Sequence, residues 1–198
     1  MAVAADFHAV TPSLFAWEAY EPAVKCELSS CALDTDDGLI FIDPIDLADA
    51  ALERLLHGRN PAAIILTNGN HTRAAATLRE RLGVKVLASS DAGGLDITAD
   101  AALAAGEITP GGMEVVPLPG AGPGEIALIG HGVACLGDAL IHLPPEGLRL
   151  LPEKYCADSR QMRHSLKILL SYQFQVMTFA HGTPLVGAVH RQLEQLLA

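Results

Sequence analysis

The chain has no apolar run that approaches the roughly 20 residues needed to cross a bilayer. Its start, Met1-Ala2-Val3-Ala4-Ala5-Asp6-Phe7-His8, lacks the basic opening and long apolar centre of a signal peptide. A cytoplasmic protein is the expectation. Positive charge is also scarce: 13 Lys and Arg stand against 23 Asp and Glu, for a net charge of −10. A nucleic-acid backbone or an anionic membrane needs a basic face, so neither is expected as a partner. The arginines at 79, 81, 160 and 163 have acidic neighbours and read as solvated helix faces. Cysteine is limited to Cys26, Cys31, Cys135 and Cys156, with no C-x-x-C pair, which predicts reduced thiols. There is no Gly-x-Ser-x-Gly and no other evident nucleophile pattern. The glycine-rich stretch 120–124 lacks the Gly-Lys-Ser/Thr ending of a phosphate loop.

What remains is a chain of 198 residues, half of them hydrophobic, with a mean hydropathy of +0.30. That is enough to bury a substantial core without disulfides, and one domain spanning 1–198 is expected. Residues 28–33 and 39–43 read as strands around Asp36-Asp37-Gly38, a hairpin signal, with Pro44 closing the second. The first twenty residues read as an extended segment covering a sheet. Helices are predicted over 46–57 and 72–82, each followed by a glycine suited to a helix end. Strands are predicted over 62–66 and 84–88. Residues 89–112 hold an Ala-rich segment that reads as a turn of helix. Strands over 113–117, 125–129 and 133–136 follow, then helix 159–170, strand 176–179 and an amphipathic helix 185–197. Two β-rich halves with helices outside predict an α/β fold, a four-layer αββα sandwich of two mixed sheets.

Polar loops after apolar strands are where chemistry is expected. The first is an elbow, Thr67-Asn68-Gly69-Asn70-His71-Thr72-Arg73, between an apolar run and a helical pattern. The second is Pro119-Gly120-Ala121-Gly122-Pro123-Gly124-Glu125. The third is Gly137-Asp138 and the fourth Ala180-His181-Gly182.

This order and spacing resemble the metallo-β-lactamase fold superfamily over most of the chain. The superfamily has a Thr-His-x-His-x-Asp-His elbow, a Pro-Gly-His-Thr-Pro-Gly loop, a Gly-Asp and a late Gly-His-Gly. The resemblance implies the αββα fold and a metal-dependent hydrolase ancestry. It also implies that seven residues would hold two metal ions. Matched by position, Asn68 and Asn70 replace two histidines, Thr72 the aspartate, Arg73 the third elbow histidine, and Ala121 the histidine of the second loop. Only Asp138, the bridging carboxylate, and His181 remain. Zinc sites need at least three imidazole, thiolate or carboxylate ligands, so the resemblance predicts a degenerate centre. The elbow is similar to that of a hydrolase-like branch of the superfamily reading Thr-Asn-x-x-His-x-Arg.

From this follow the site expectations. Asp138 and His181 are the candidate catalytic residues and, if one Zn or other divalent ion binds, its candidate ligands; otherwise no cofactor is expected. Asn68, Asn70, His71, Arg73 and Asp43 are the candidate ligand-binding residues. Arg73 is expected to lie across the old metal cavity and pair with Asp138, since a buried carboxylate needs a partner. His71 falls on a variable position of the motif and is expected to point away from the cavity. A three-ligand set of His71, Asp138 and His181 is the competing arrangement. Asp43 is a candidate support for His181 or the elbow, or else a cap on the turn at Pro44. Two function classes are expected. One is a hydrolase of a small ester, thioester or amide. The other is a non-catalytic protein that binds a small anionic or polar molecule through Arg73 and the asparagines. The Ala/Leu-rich helices leave room for a homo-oligomer.

Overall fold

Three separate apolar clusters divide the molecule, a computed structural model that describes residues 2–198. One lies between a seven-stranded sheet and helices α1 (Asp49–Leu56) and α2 (Ala75–Leu82). A second lies between a five-stranded sheet and helices α3 (Ser159–Ser165) and α4 (Val189–Leu197). The third is sealed between the two sheets, with Leu33, Ile40, Ile65, Leu128 and Cys135 among its members. Three cores need four layers, so the arrangement is the expected αββα sandwich.

The seven-stranded sheet runs His8–Ala9, Leu14–Glu21, Cys26–Thr35, Gly38–Ile42, Pro61–Leu66, Lys85–Ser89 and Ala101–Leu103. It is antiparallel up to Gly38–Ile42 and parallel from there to its far edge. The inner strands bury both faces, which is why 39–42 and 63–66 are unbroken apolar runs and not alternating ones. The five-stranded sheet runs Glu114–Pro117, Ile126–Gly130, Val133–Leu136, Val176–Thr178 and Leu185–Val186. Its central pair, Val133–Leu136 and Val176–Thr178, is parallel. Helix packing follows the sequence: α4 buries Val189, Leu193 and Leu197, spaced one helical turn apart.

These parallel pairs position the site. Asp43 follows Gly38–Ile42 and the elbow follows Pro61–Leu66, its parallel neighbour. Asp138 and His181 follow the two central parallel strands of the other sheet. All four loops leave the carboxyl ends of their strands.

Several expectations are corrected. The N-terminal segment contributes Leu14–Glu21 to the interior of a sheet, paired along its whole length with Cys26–Thr35. Helix α1 starts at Asp49, because Asp46–Leu47 instead pairs in parallel with Val3–Ala4. The Ala-rich segment is an edge strand, Ala101–Leu103, whose ladder to Lys85–Ser89 overrides alanine's helical preference. A hairpin, Leu140–Leu143 with Gly147–Leu150, was absent from the expected order. The helix predicted over 159–170 tightens into a 3-10 turn at Leu166–Ser171. The terminal helix begins only at Val189, since Leu185–Val186 is a strand and both Gly187 and Ala188 take positive φ. Among the described residues, no helix is long and apolar enough to cross a membrane.

Candidate active site

The elbow presents its polar groups because Thr67 and Asn68 are fully buried at the end of an apolar strand. Buried polar groups must find partners, and these find carboxylates. Asp43, 1% exposed, accepts from the Thr67 backbone N–H at 2.8 Å through Oδ1, and from the Thr67 hydroxyl through Oδ2. The same Oδ2 accepts from His71 Nδ1 at 2.8 Å. Asp43 therefore supports the elbow, and among the described residues no hydrogen bond joins it to His181.

Because Asp43 only accepts, His71 Nδ1 carries a proton, and Nε2 is the nitrogen that faces the cavity. There His71 Nε2 lies 3.1 Å from Asp138 Oδ1. His181 approaches the same oxygen from the other side, Nε2 to Oδ1 at 3.2 Å. Its own Nδ1 donates to the Glu27 carbonyl at 2.8 Å. The ligand atoms of His71, Asp138 and His181 all fall within 4.8 Å of one another. The expectation that His71 points away is thus overturned. The chain turns through positive φ at Arg73, 40°, one of the few non-glycine residues to do so, and His71 lies inside that tight elbow.

Arg73 does not pair with Asp138. Its guanidinium donates to three main-chain carbonyls: Ser29 at 2.7 Å, Asp43 at 3.0 Å and Ala180 at 3.2 Å. No ion pair within 4.0 Å joins it to Asp138 among the described residues. Three carbonyls converge behind the cavity, Ser29 from within a strand and Asp43 and Ala180 from just past strand ends, and a planar fork donates to all of them. Asp138 is faced by the two imidazoles instead.

Asn68 bridges the other side. Its amide Nδ2 donates to Glu125 Oε2 at 2.6 Å and to Asp138 Oδ2 at 3.1 Å. Its Oδ1 accepts from the Asn70 backbone N–H at 2.8 Å. Asn70 itself is exposed, and only its main chain joins the network.

Glu125 and Cys26 are site residues that the sequence reading missed. Glu125, 2% exposed, also accepts from the Ala139 N–H at 2.9 Å. A charged residue at the head of a buried strand was the available signal. Cys26 Sγ lies 3.8 Å from His181 Nδ1, and nothing in its sequence surroundings marks it.

The electrostatics follow from burial and pairing. Burial works against the charged form of His71, but the Asp43 carboxylate, joined by Asp138, pushes its pKa up to about 9. Burial likewise opposes ionised Asp43 and Asp138. The His71 charge outweighs it and holds both carboxyls below the usual range, with His181 adding to the effect on Asp138. Glu125 has no cation in contact, and burial, with the Asp138 charge beyond it, pushes its pKa up to about 7. Burial also raises the Cys26 thiol.

A two-metal centre does not fit these residues. Asn68 spends its amide hydrogens on two carboxylates, Asn70 and Thr72 place no side-chain donor in the cavity, and Ala121 has none. A single ion fits better. Two imidazole nitrogens and one carboxylate oxygen converge, as two-His-one-carboxylate sites require. The outer atom of each is held: His71 Nδ1 by Asp43, His181 Nδ1 by the Glu27 carbonyl, Asp138 Oδ2 by Asn68. Such outer bonds orient metal ligands.

Comparison with known proteins gives the family and the fold. The model of the Metallo-beta-lactamase superfamily matches residues 8–193. No curated protein sequence matches the chain. Among solved structures, the chain is similar to DIM-1 metallo-beta-lactamase, at 15% identity and a TM-score of 0.75 over 98% of each chain. A metallo-beta-lactamase from Pontibacter korlensis gives 14% identity and 0.75, over 97% of this chain and 98% of that one. One from Erythrobacter litoralis, with beta mercaptoethanol in its active site, gives 13% and 0.73, over 96% and 95%. At such identities the structures speak for the fold alone.

Proposed function

Since this chain belongs to the metallo-beta-lactamase superfamily, we propose that it is a hydrolase of a small ester, thioester or amide, working with a single divalent ion. His71 Nε2, Asp138 Oδ1 and His181 Nε2 would hold that ion. The observation that carries this reading is the meeting of the two imidazoles at one oxygen of Asp138, at 3.1 and 3.2 Å. Donors about 2.0–2.2 Å from a tetrahedral ion lie about 3.3–3.6 Å apart, close to both imidazole–carboxylate separations, and the whole set falls within 4.8 Å. A bound ion would polarise a carbonyl and lower the pKa of a water molecule.

The chain's own groups do the rest. Asp43 fixes the tautomer of His71 and the Glu27 carbonyl fixes that of His181. Asn68 turns Asp138 so that Oδ1 faces the imidazoles. Glu125, with its pKa near neutrality, can hold or release a proton on the far side of Asn68.

Metal analysis after reconstitution with zinc or manganese tests the reading. One equivalent per chain is expected, lost in Asp138→Ala and in His71→Ala. Binding below a tenth of an equivalent would sink it.

A second reading has its own support. Protonated His71 between Asp43 and Asp138, with Arg73 beside them, gives two cations against two carboxylates. A network neutral in itself suits a non-catalytic binding protein. Under that reading the metal analysis fails while a small polar ligand still binds.

A further inference from the structure

Beside the buried network lies a crevice of about 270 Å³, between the edges of the two sheets. Ser89, Ser90 and Asp91 line one wall, and the 120–124 loop lines the other, with Glu125 among the lining residues. The crevice and the site back onto each other at Gly122. A Cβ there would lie 3.0 Å from Asn68 Nδ2 and 3.3 Å from Glu125 Oε2. Glu125 belongs to both: it lines the crevice, and its carboxyl bonds to Asn68 beside Asp138. The volume lies just under the usual range for ligand pockets, about 300–1,000 Å³, so it suits a group of a few heavy atoms.

The charge of the lining is one-sided. Asp91 contributes an exposed carboxylate and Glu125 a buried carboxyl bonded to Asn68 and Ala139, and among the described residues no lysine, arginine or histidine lines the crevice. The two buried cations nearby are already engaged. His71 sits between two aspartates, and Arg73 is spent on three carbonyls. Hydroxyls and carboxyls on the walls accept hydrogen bonds, and like charge is rejected strongly at close range.

We propose that this crevice receives the non-reacting end of the substrate and selects a hydroxyl- or ammonium-bearing end over a carboxylate or phosphate. A substrate's end here rests on the hydrolase reading; the binding itself does not. The selectivity runs against the anionic ligand expected from the elbow arginine, because that arginine is occupied.

The test uses probes with no bond to cleave, so its result stands apart from metal content and turnover. Ethanolamine, acetate and inorganic phosphate are titrated into the purified protein while the amide resonances of residues 89–91 and 120–125 are followed. Ethanolamine is expected to shift these resonances with millimolar affinity, and the two anions are not. Two variants at exposed positions outside the catalytic groups complete the test. Ala105→Phe fills the mouth and Asp91→Lys reverses the wall charge. Each is expected to weaken ethanolamine about tenfold, and the lysine is expected to admit phosphate. Equal or larger shifts from acetate or phosphate in the unaltered protein would overturn the proposal. So would ethanolamine binding that neither variant changes, or no shift from any probe.

Discussion

The guanidinium of Arg73 donates to the carbonyl of Ala180, the residue before His181, at 3.2 Å. An elbow arginine in one half of the chain thereby sets the starting point of the loop that carries His181 in the other. It does the same for Asp43 through that residue's own carbonyl at 3.0 Å. Arg73 is a brace, and its cost of removal is structural.

Arg73→Met should destabilise the protein by about 1–3 kcal/mol, because the Ser29 carbonyl loses its side-chain donor, while the Asp43 carbonyl keeps the Ser30 hydroxyl and the Ala180 carbonyl keeps the Ser29 N–H. Urea unfolding measures this. Arg73→Lys should fall between the two, since an ammonium cannot span all three acceptors. Unchanged stability in Arg73→Met would show that water replaces the fork without loss.

The pH dependence of the metal-free protein has a definite sign. His71 titrates near 6.5 when unfolded and about 9 when folded, so its stabilisation is complete below pH 6.5 and lost as pH rises through 9. The difference is on the order of 3 kcal/mol. Asp43→Asn removes the carboxylate that contributes most to the shift and should flatten this slope. Chemical denaturation at pH 6, 7.5 and 9 would show it, and a slope kept in Asp43→Asn would contradict the assignment.

Glu125 acts at lower pH. Its pKa rises from about 4.5 in the unfolded chain to about 7 in the fold, so stability declines as pH climbs between those values. Glu125→Gln keeps most of the shape and removes the ionisation. The expected outcome is a flat stability profile from pH 5 to 6, measured as thermal midpoints, with the loss above pH 6.5 due to His71 left in place.

Gly137→Ala probes how tightly the cavity is packed. A Cβ there would meet Thr67 Oγ1 at 2.5 Å and Glu125 Oε1 at 2.8 Å. The side chains around Asp138 must shift, at a cost of about 1–3 kcal/mol. A metal affinity weakened more than Gly122→Ala weakens it would place the strain at Asp138 itself.

The fold was largely legible in the sequence because its signals are local. Apolar runs such as 63–66, the Asp37-Gly38 turn and the glycine after α2 each declare a strand, hairpin or helix end. The misread segments are those decided by partners far away. Ala101–Leu103 looks helical until Lys85–Ser89 offers it a ladder. The site was half legible. Asp138 and His181 stood out by motif, but the direction of His71 depends on the backbone turn through the elbow, which one-for-one matching cannot supply. Arg73 was assigned the right neighbourhood and the wrong partner, since carbonyls leave no trace in sequence. Glu125 stood in the second loop but matched no ligand position, and its partners Asn68 and Ala139 are distant in sequence.

The three cavity-facing groups come from both sheets: His71 from the elbow of one, Asp138 and His181 from parallel neighbours of the other. The contact between His71 and Asp138 joins positions 67 apart in the chain. Neither half can assemble this cluster before the sheets have docked. The cluster is therefore a reporter on the last stage of assembly, and whatever binds there draws its free energy from the closed sandwich alone. A ligand at this point would act as a clasp, slowing the parting of the sheets more than the fraying of any single strand.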